Sequence, residues 1–311
     1  MLHVANIGLG RPFLRTLIGG LLDRDDLADL TLLLPSRRAC LAARETFQSL
    51  SGGATLLLPR LLPVGEPDEA ELALSGALEL ALPPVMPPLR RRLLLMRLVL
   101  ATSPGMAHEQ AVRLAAELER FIDELHNEEV DLTGLDTLVP VEFAEHWQEA
   151  LTFLGLLRQA WPDILAAEVR LEASERRRRL LDALVAHWQA NPPGAVVAAG
   201  ITGTLPAVGR LLTTVARLPS GQVVLHGLDR ALDERGWTAV DPVHPQYGLK
   251  RLLERIGTVI GPLVAAFFLG RFDYAHAAAA TGALVVVCSL AFALSRLRST
   301  APRQPLMDRT T

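Results

Sequence analysis

Cysteine and lysine are almost missing from this chain. Cys40 and Cys288 are the only cysteines in 311 residues, far apart and each in an apolar stretch. They cannot build a disulfide framework, a cysteine-rich zinc site or a four-cysteine iron–sulfur cluster, and such usage suits a reducing compartment. Lys250 is the single lysine, while Leu, Ala and Arg dominate. Nothing in physical chemistry makes Arg replace Lys at every exposed position, so the bias reads as that of a GC-rich genome. A basic excess is also lacking. Five of the 31 basic and two of the 34 acidic residues follow Ile256, which leaves residues 1–256 at a net charge of about −6. That argues against a free-standing nucleic-acid binder held mainly by counterion release, though one basic groove stays open. Met1 to Gly10 has no basic run followed by a long apolar one, so no secretory signal is expected.

What the chain has is apolar residue, 50% of it, with a mean hydropathy of +0.27. Its length suits one large domain or a domain with an appendage. Val4 to Ile7 reads as a strand, Gly8-Leu9-Gly10 as a break and Pro12 to Leu22 as a helix. Leu30 to Leu34 is a continuous apolar run, hence a buried strand, followed by Pro35-Ser36-Arg37-Arg38 and a helix to about Leu50. A third strand is predicted at Ala54 to Leu58, after the Ser51-Gly52-Gly53 turn. The middle is helical: Leu89 to Ala101, His108 to Asn127, a segment from Phe143 to Trp161, and Glu175 to Gln189, the second and third with apolar residues at three- and four-residue steps. Strands return at Ala195 to Ala199 and Gln222 to Leu225, around a helix from Pro206 to Leu218. The expected fold class is therefore α/β, a mainly parallel sheet with a helical subdomain inserted between about 85 and 190.

The tail is of another kind. Ile256 to Gly270 is apolar but short, and His276 to Leu294 is a 19-residue stretch with no formal charge, long enough to cross a bilayer as a helix. Lys250, Arg251 and Arg255 precede the pair; Arg296, Arg298 and Arg303 follow it. The positive-inside rule puts both flanks in the cytoplasm, with a tight hairpin between them. The expectation is a hydrophobic hairpin over 257–298, membrane contact through 257–295 and a disordered tail over 299–311.

Chemical motifs are incomplete. Gly8-Leu9-Gly10-Arg11-Pro12 occupies the place of a phosphate-binding loop, but the lysine and hydroxyl that such a loop needs are missing, so Gly8 and Gly10 read as a degenerate nucleotide loop or a plain tight turn. Gly200-Ile201-Thr202-Gly203-Thr204 follows a strand where a magnesium-positioning acid would stand, and carries none. Ser36 can cap its helix while Arg37 and Arg38 either face solvent or bind a nucleic-acid phosphate. The Arg90–Arg92 and Arg176–Arg179 runs, with Glu nearby, read as charged solvent faces. His244-Pro245-Gln246-Tyr247-Gly248-Leu249-Lys250 matches no metal or triad spacing, and no Ser-His-Asp or paired-carboxylate set stands out. No catalytic residue, metal or cofactor is expected.

Taken as a series, Leu32–Ala39, Leu56–Arg60, Pro87–Leu93, Ala198–Ala207, Leu228-Asp229 and His244–Gly257 resemble the amino-terminal part of AddB. That family is the double-strand break repair subunit of a bacterial helicase-nuclease, here in its alphaproteobacterial form. The resemblance covers about residues 1–257. It implies a superfamily 1 helicase-like domain with degenerate motor motifs, a non-catalytic role in DNA binding, and an active AddA-type subunit as partner. It places Ser36, Arg37 and Arg38 in the motif that touches single-stranded DNA. The chain is then not an enzyme on its own, since the family's nuclease domain with its iron–sulfur cysteines belongs far downstream. After Gly257 the pattern changes: Gly261-Pro262-Leu263-Val264, Tyr274 and the Ala-rich stretch resemble a transmembrane pair of a major facilitator transporter. A fusion, a rearranged reading frame or a mispredicted gene accounts for two such halves. The alternative expectation is a membrane-anchored protein with a transporter-derived hairpin.

Overall fold

Among the described residues five short strands pair into one sheet in which every neighbour runs parallel: β1 (Val4–Ile7), β2 (Thr31–Leu34), β3 (Arg60–Pro63), β4 (Val196–Ala199) and β5 (Gly221–His226), in the order β1-β5-β4-β2-β3. The computed structural model of the protein describes residues 3–65, 67, 82–103, 105–130 and 144–257, with 144–153, 156 and 234 described by backbone alone. The chain forms two compact units, Met1–Ile256 and Gly257–Thr311, and the sheet belongs to the first.

β2 and β4 are buried at every position, as parallel strands covered on both faces must be. Leu32, Leu34, Val197 and Ala199 point to one face, packed under α1 (Phe13–Leu22) and α2 (Arg37–Leu50). Leu33, Val196 and Ala198 point to the other, under α6 (Ala173–Ala190), α7 (Pro206–Arg217) and α9 (Tyr247–Ile256). Chirality explains the division. The chain moves from β1 toward β2 in one direction across the sheet and from β4 to β5 in the other, so right-handed crossovers put α1 and α7 on opposite faces.

Between β3 and β4 lie α3 (Pro88–Thr102), α4 (His108–Glu128), α5 (Ala144–Glu168) and α6. The first three share their own core around Leu95, Val99, Ala115, Leu118 and Trp161. α6 packs Leu180, Leu181, Leu184 and Trp188 into the sheet core instead. α8 (Glu234–Thr238) is a single capped turn, with Asp233 Oδ1 accepting from the Gly236 amide at 2.7 Å.

The α/β class and the parallel sheet follow the sequence expectation; the third strand does not. Ala54–Leu58 is irregular, and β3 begins at Arg60, whose amide donates to Leu30 O at 2.9 Å. An apolar run interrupted by Pro59 has no period from which to set its register; pairing with β2 sets it, while Leu56 and Leu58 drop onto the α2 side. The arginine runs also differ from a solvent face. Arg91 is largely buried: Nη1 lies 3.1 Å from Asp123 Oδ2 on α4, and Nε 2.8 Å from Oε2 of Glu172, which is 1% exposed. Arg92 pairs with Glu119, and Arg177 donates to Gly65 O at 3.2 Å and to Asn127 Oδ1 at 2.5 Å. Successive helix residues turn by about 100°, so a run of three arginines must turn some inward. Among the described residues no helix is long and apolar enough to cross a membrane. The hairpin expected over 257–298 and the tail over 299–311 lie outside the described residues, Gly257 apart.

Candidate functional site

Because all five strands are parallel, the loops after them share one edge of the sheet, where open α/β sheets bind ligands. The strand order sets their sequence along that edge: Gly8–Pro12, then Gly227–Asp229, then Gly200–Leu205, then Pro35-Ser36, then Gly65. Three of the segments singled out above therefore become neighbours. Ser36–Arg38 stands apart from Gly8 and Gly10, since β2 is three strand positions from β1, or about 14 Å.

The glycine loop after β1 is closed by its own turn, with the Arg11 amide donating to Gly8 O at 3.1 Å. Neither Gly8 nor Gly10 adopts the left-handed conformation, and a Cβ at either would meet nothing within 4 Å. Pro12, at the N-cap of α1, offers no amide and no side-chain cap. Two apolar side chains reach toward β5 and β4, a largely exposed Leu9 and a half-buried Phe13. Leu9 lies over Gly227, where a Cβ would stand 2.6 Å from Leu9 Cδ2; Phe13 lies over Gly200, where a Cβ would stand 2.9 Å from Phe13 Cε1. The Phe13 ring also stacks on His226, centroids 4.5 Å apart.

Gly200 and Gly203 hold the loop after β4 with φ of +68° and +66°, a conformation in which only glycine is unstrained. The segment from β4 to Leu205 carries no carboxylate. The loop after β5 is fixed by side chains that sequence reasoning left unassigned. Asn6 Nδ2 donates to Leu228 O at 3.4 Å and its Oδ1 accepts from the Leu228 amide at 3.1 Å. Gln246 Nε2 donates to Gly227 O at 3.0 Å while its Oε1 accepts from the Asp229 amide at 3.1 Å. Lys250 donates to Thr238 O at 3.2 Å and Val240 O at 3.1 Å. The odd composition of His244–Lys250 is thus a backbone clamp, and the only signal for it was the presence of an amide and a lysine beside a glycine-rich loop.

Ser36 is the N-cap of α2, its Oγ accepting from the Ala39 amide at 3.2 Å. Arg37 and Arg38 are exposed on the first turn that follows. The arrangement can present two guanidinium groups to a backbone phosphate at the strand ends. Among the described residues no group of three His, Cys, Asp or Glu side chains can hold a metal ion.

A second concavity was not foreseen. A groove of about 710 Å³ runs along the outer face of α7, between α6 and α9. Its residues come from three separated segments, so no local pattern marks it.

No family model matches this chain, and no curated protein matches it.

Proposed function

We propose that this chain is the amino-terminal, helicase-like part of an AddB-type subunit. In that role it is a non-catalytic scaffold for recombinational repair of double-strand breaks, contacting single-stranded DNA at broken ends and working beside an active AddA-type helicase-nuclease subunit. One observation supports the reading: a parallel sheet lines up a glycine loop, a glycine-rich post-strand loop and an arginine-bearing helix start along one edge, with Leu9 over Gly227 and Phe13 over Gly200. In this reading the parallel sheet is a nucleotide-motor scaffold without the lysine, hydroxyl or acid that nucleotide chemistry needs. Ser36 positions the helix start, and Arg37 and Arg38 supply phosphate contacts. Co-purification of the full chain with an AddA-type subunit, together with salt-sensitive binding of an oligo(dT) that weakens in Arg37→Ala and Arg38→Ala, tests the proposal. No partner and no such binding removes it.

The hairpin over 257–298 belongs to the proposal on the strength of the charge-free stretch His276–Leu294. In this reading it anchors the protein to a membrane, as a transporter-derived segment. Carbonate washing of a membrane fraction leaves the full chain in the pellet if the hairpin inserts; release to the supernatant rejects it.

A further inference from the structure

We infer that the helical insertion, α3 to α5, is a hinged lobe. It swings from the sheet body about the paired backbone at Val85 and Leu171, and a polar seam between α4 and α6 latches it shut. The insertion and the sheet have separate cores. Met86, Leu118 and Trp161 belong to one, Leu180, Leu184 and Val196 to the other, and among the described residues no buried apolar side chain is shared by the two. The chain crosses between them twice. It leaves the sheet core at Leu82 and enters the insertion core at Met86; it leaves the insertion core at Leu165 and re-enters the sheet core at Leu180.

The two crossings lie side by side. The Met86 amide donates to Leu171 O at 2.9 Å and the Leu171 amide to Pro84 O at 3.1 Å, forming a short parallel bridge. A rotation about this bridge breaks neither bond, and hinges are built from a few residues at the ends of elements. Val169, two residues before Leu171, has a φ of +52°. A β-branched residue in the left-handed region is strained, and such strain collects at switch segments. The Glu172 carboxylate is held by Arg91 of α3 and Trp161 of α5, so it moves with the lobe and the axis passes near the start of α6.

The seam that closes the lobe is polar. α4 faces α6 and α7, and its contacts advance together along both helices away from the bridge. Asp123 and His126 meet Ser174 at 3.1 and 3.3 Å, and Asn127 Oδ1 accepts from Arg177 at 2.5 Å. Glu129 pairs at 2.6 Å with Arg210, which Asp182 holds on the body side. Half-exposed polar contacts are exchanged for water at little net cost, whereas an apolar seam is not. The contacts at Ser174 lie nearest the axis and separate least. Glu129 and Arg210 separate most, since Asp182 is about 12 Å further along α6.

The test uses the full chain carrying Cys288→Ser; Cys40 is buried and takes no label. Nitroxides at Arg113→Cys on α4 and Arg217→Cys on α7, both exposed, report the distance from lobe to body by pulsed electron spin resonance. A second pair, Arg44→Cys on α2 with Arg217→Cys, reports the body alone. Two lobe-to-body distances are expected. The longer population grows about fivefold when Asn127→Ala and Glu129→Gln are combined, and grows again between about 0.05 M and about 1 M salt, while the body pair stays fixed. Neither substitution removes an apolar contact, so the variant retains the fold, which circular dichroism verifies. One lobe-to-body distance that neither salt nor the variant changes overturns the inference. A change shared by the body pair overturns it too, as loosening of the whole unit. Neither readout involves nucleotide or DNA, so failure here leaves the proposed function standing, and the reverse.

Discussion

Phe13 and His226 stack with their ring centroids 4.5 Å apart, and the same phenyl ring covers Gly200. The end of β5, the start of α1 and the loop after β4 are thereby joined by one aromatic side chain, in the crevice where a nucleotide-binding α/β protein would hold phosphate.

The glycines of this crevice are expected to respond differently to substitution. Gly200→Ala adds a Cβ 2.9 Å from Phe13 at a φ of +68°, and should cost about 1–3 kcal/mol in urea unfolding. Gly8→Ala meets nothing within 4 Å, and should change stability by less than about 0.5 kcal/mol. Equal effects at the two positions would show that the ring does not lie over Gly200.

In the helical insertion, Glu172 is the buried anchor. Trp161 Nε1 donates to it at 2.7 Å and Arg91 faces it at 2.8 Å. Glu172→Ala leaves the buried Trp161 Nε1 without an acceptor and takes from Arg91 one of its two carboxylates, Asp123 remaining, and should destabilise the protein by about 1–3 kcal/mol. Glu168→Ala, which removes an exposed partner of Arg90, should cost less than about 1 kcal/mol. Urea midpoints of the two variants check the ranking.

Stability should fall as pH drops below the ordinary histidine range. Burial pushes His126 below its usual 6.5, so the unfolded chain takes up the proton first, and the stability present above pH 6.5 is lost through the lowered folded value. The ring lies 3.3 Å from Ser174 Oγ and faces Asp123 on α4, Glu175 and Arg178 on α6 and Arg91 on α3. Glu129, held down by its hydrogen bonds to Arg210, contributes above the usual carboxylate range and loses this as pH falls further. Glu172 has the opposite sign: burial raises its carboxyl, so its contribution is complete below about 4.5 and is lost as pH rises through the raised value. Melting curves of His126→Gln should lose the decline between pH 7 and 5; an unchanged decline assigns it elsewhere.

Much of the sheet was legible because its strands are short apolar runs closed by glycine or proline, with Leu30–Leu34 and Ala195–Ala199 displaced by a single residue from the strands that form. β3 was misplaced because Ala54–Leu62 offers two equivalent apolar segments around Pro59. In the Arg90–Arg92 run, composition does not say which member turns inward; Asp123 and Glu172, 32 and 81 positions from Arg91, decide it. Likewise Ser36 was identifiable as a cap from local sequence, whereas the approaches of Leu9 to Gly227 and of Phe13 to Gly200 join positions 218 and 187 residues apart and leave no local trace.

At the helix start after β2, the two roles separate experimentally. Ser36→Ala should cost about 1 kcal/mol of stability through the lost cap. Arg37→Ala and Arg38→Ala should leave stability within about 0.5 kcal/mol but each lower the salt slope of oligo(dT) binding by about 0.7. Titrations at several salt concentrations distinguish them; slopes unchanged in both variants would place any DNA contact elsewhere.

In the proposed function the sheet edge that carries Leu9 over Gly227 and Phe13 over Gly200 binds no nucleotide. Calorimetric titration of the full chain with magnesium and ATP tests it most directly. The account predicts no binding heat and no turnover; saturable binding, or hydrolysis that Gly10→Val abolishes, contradicts it.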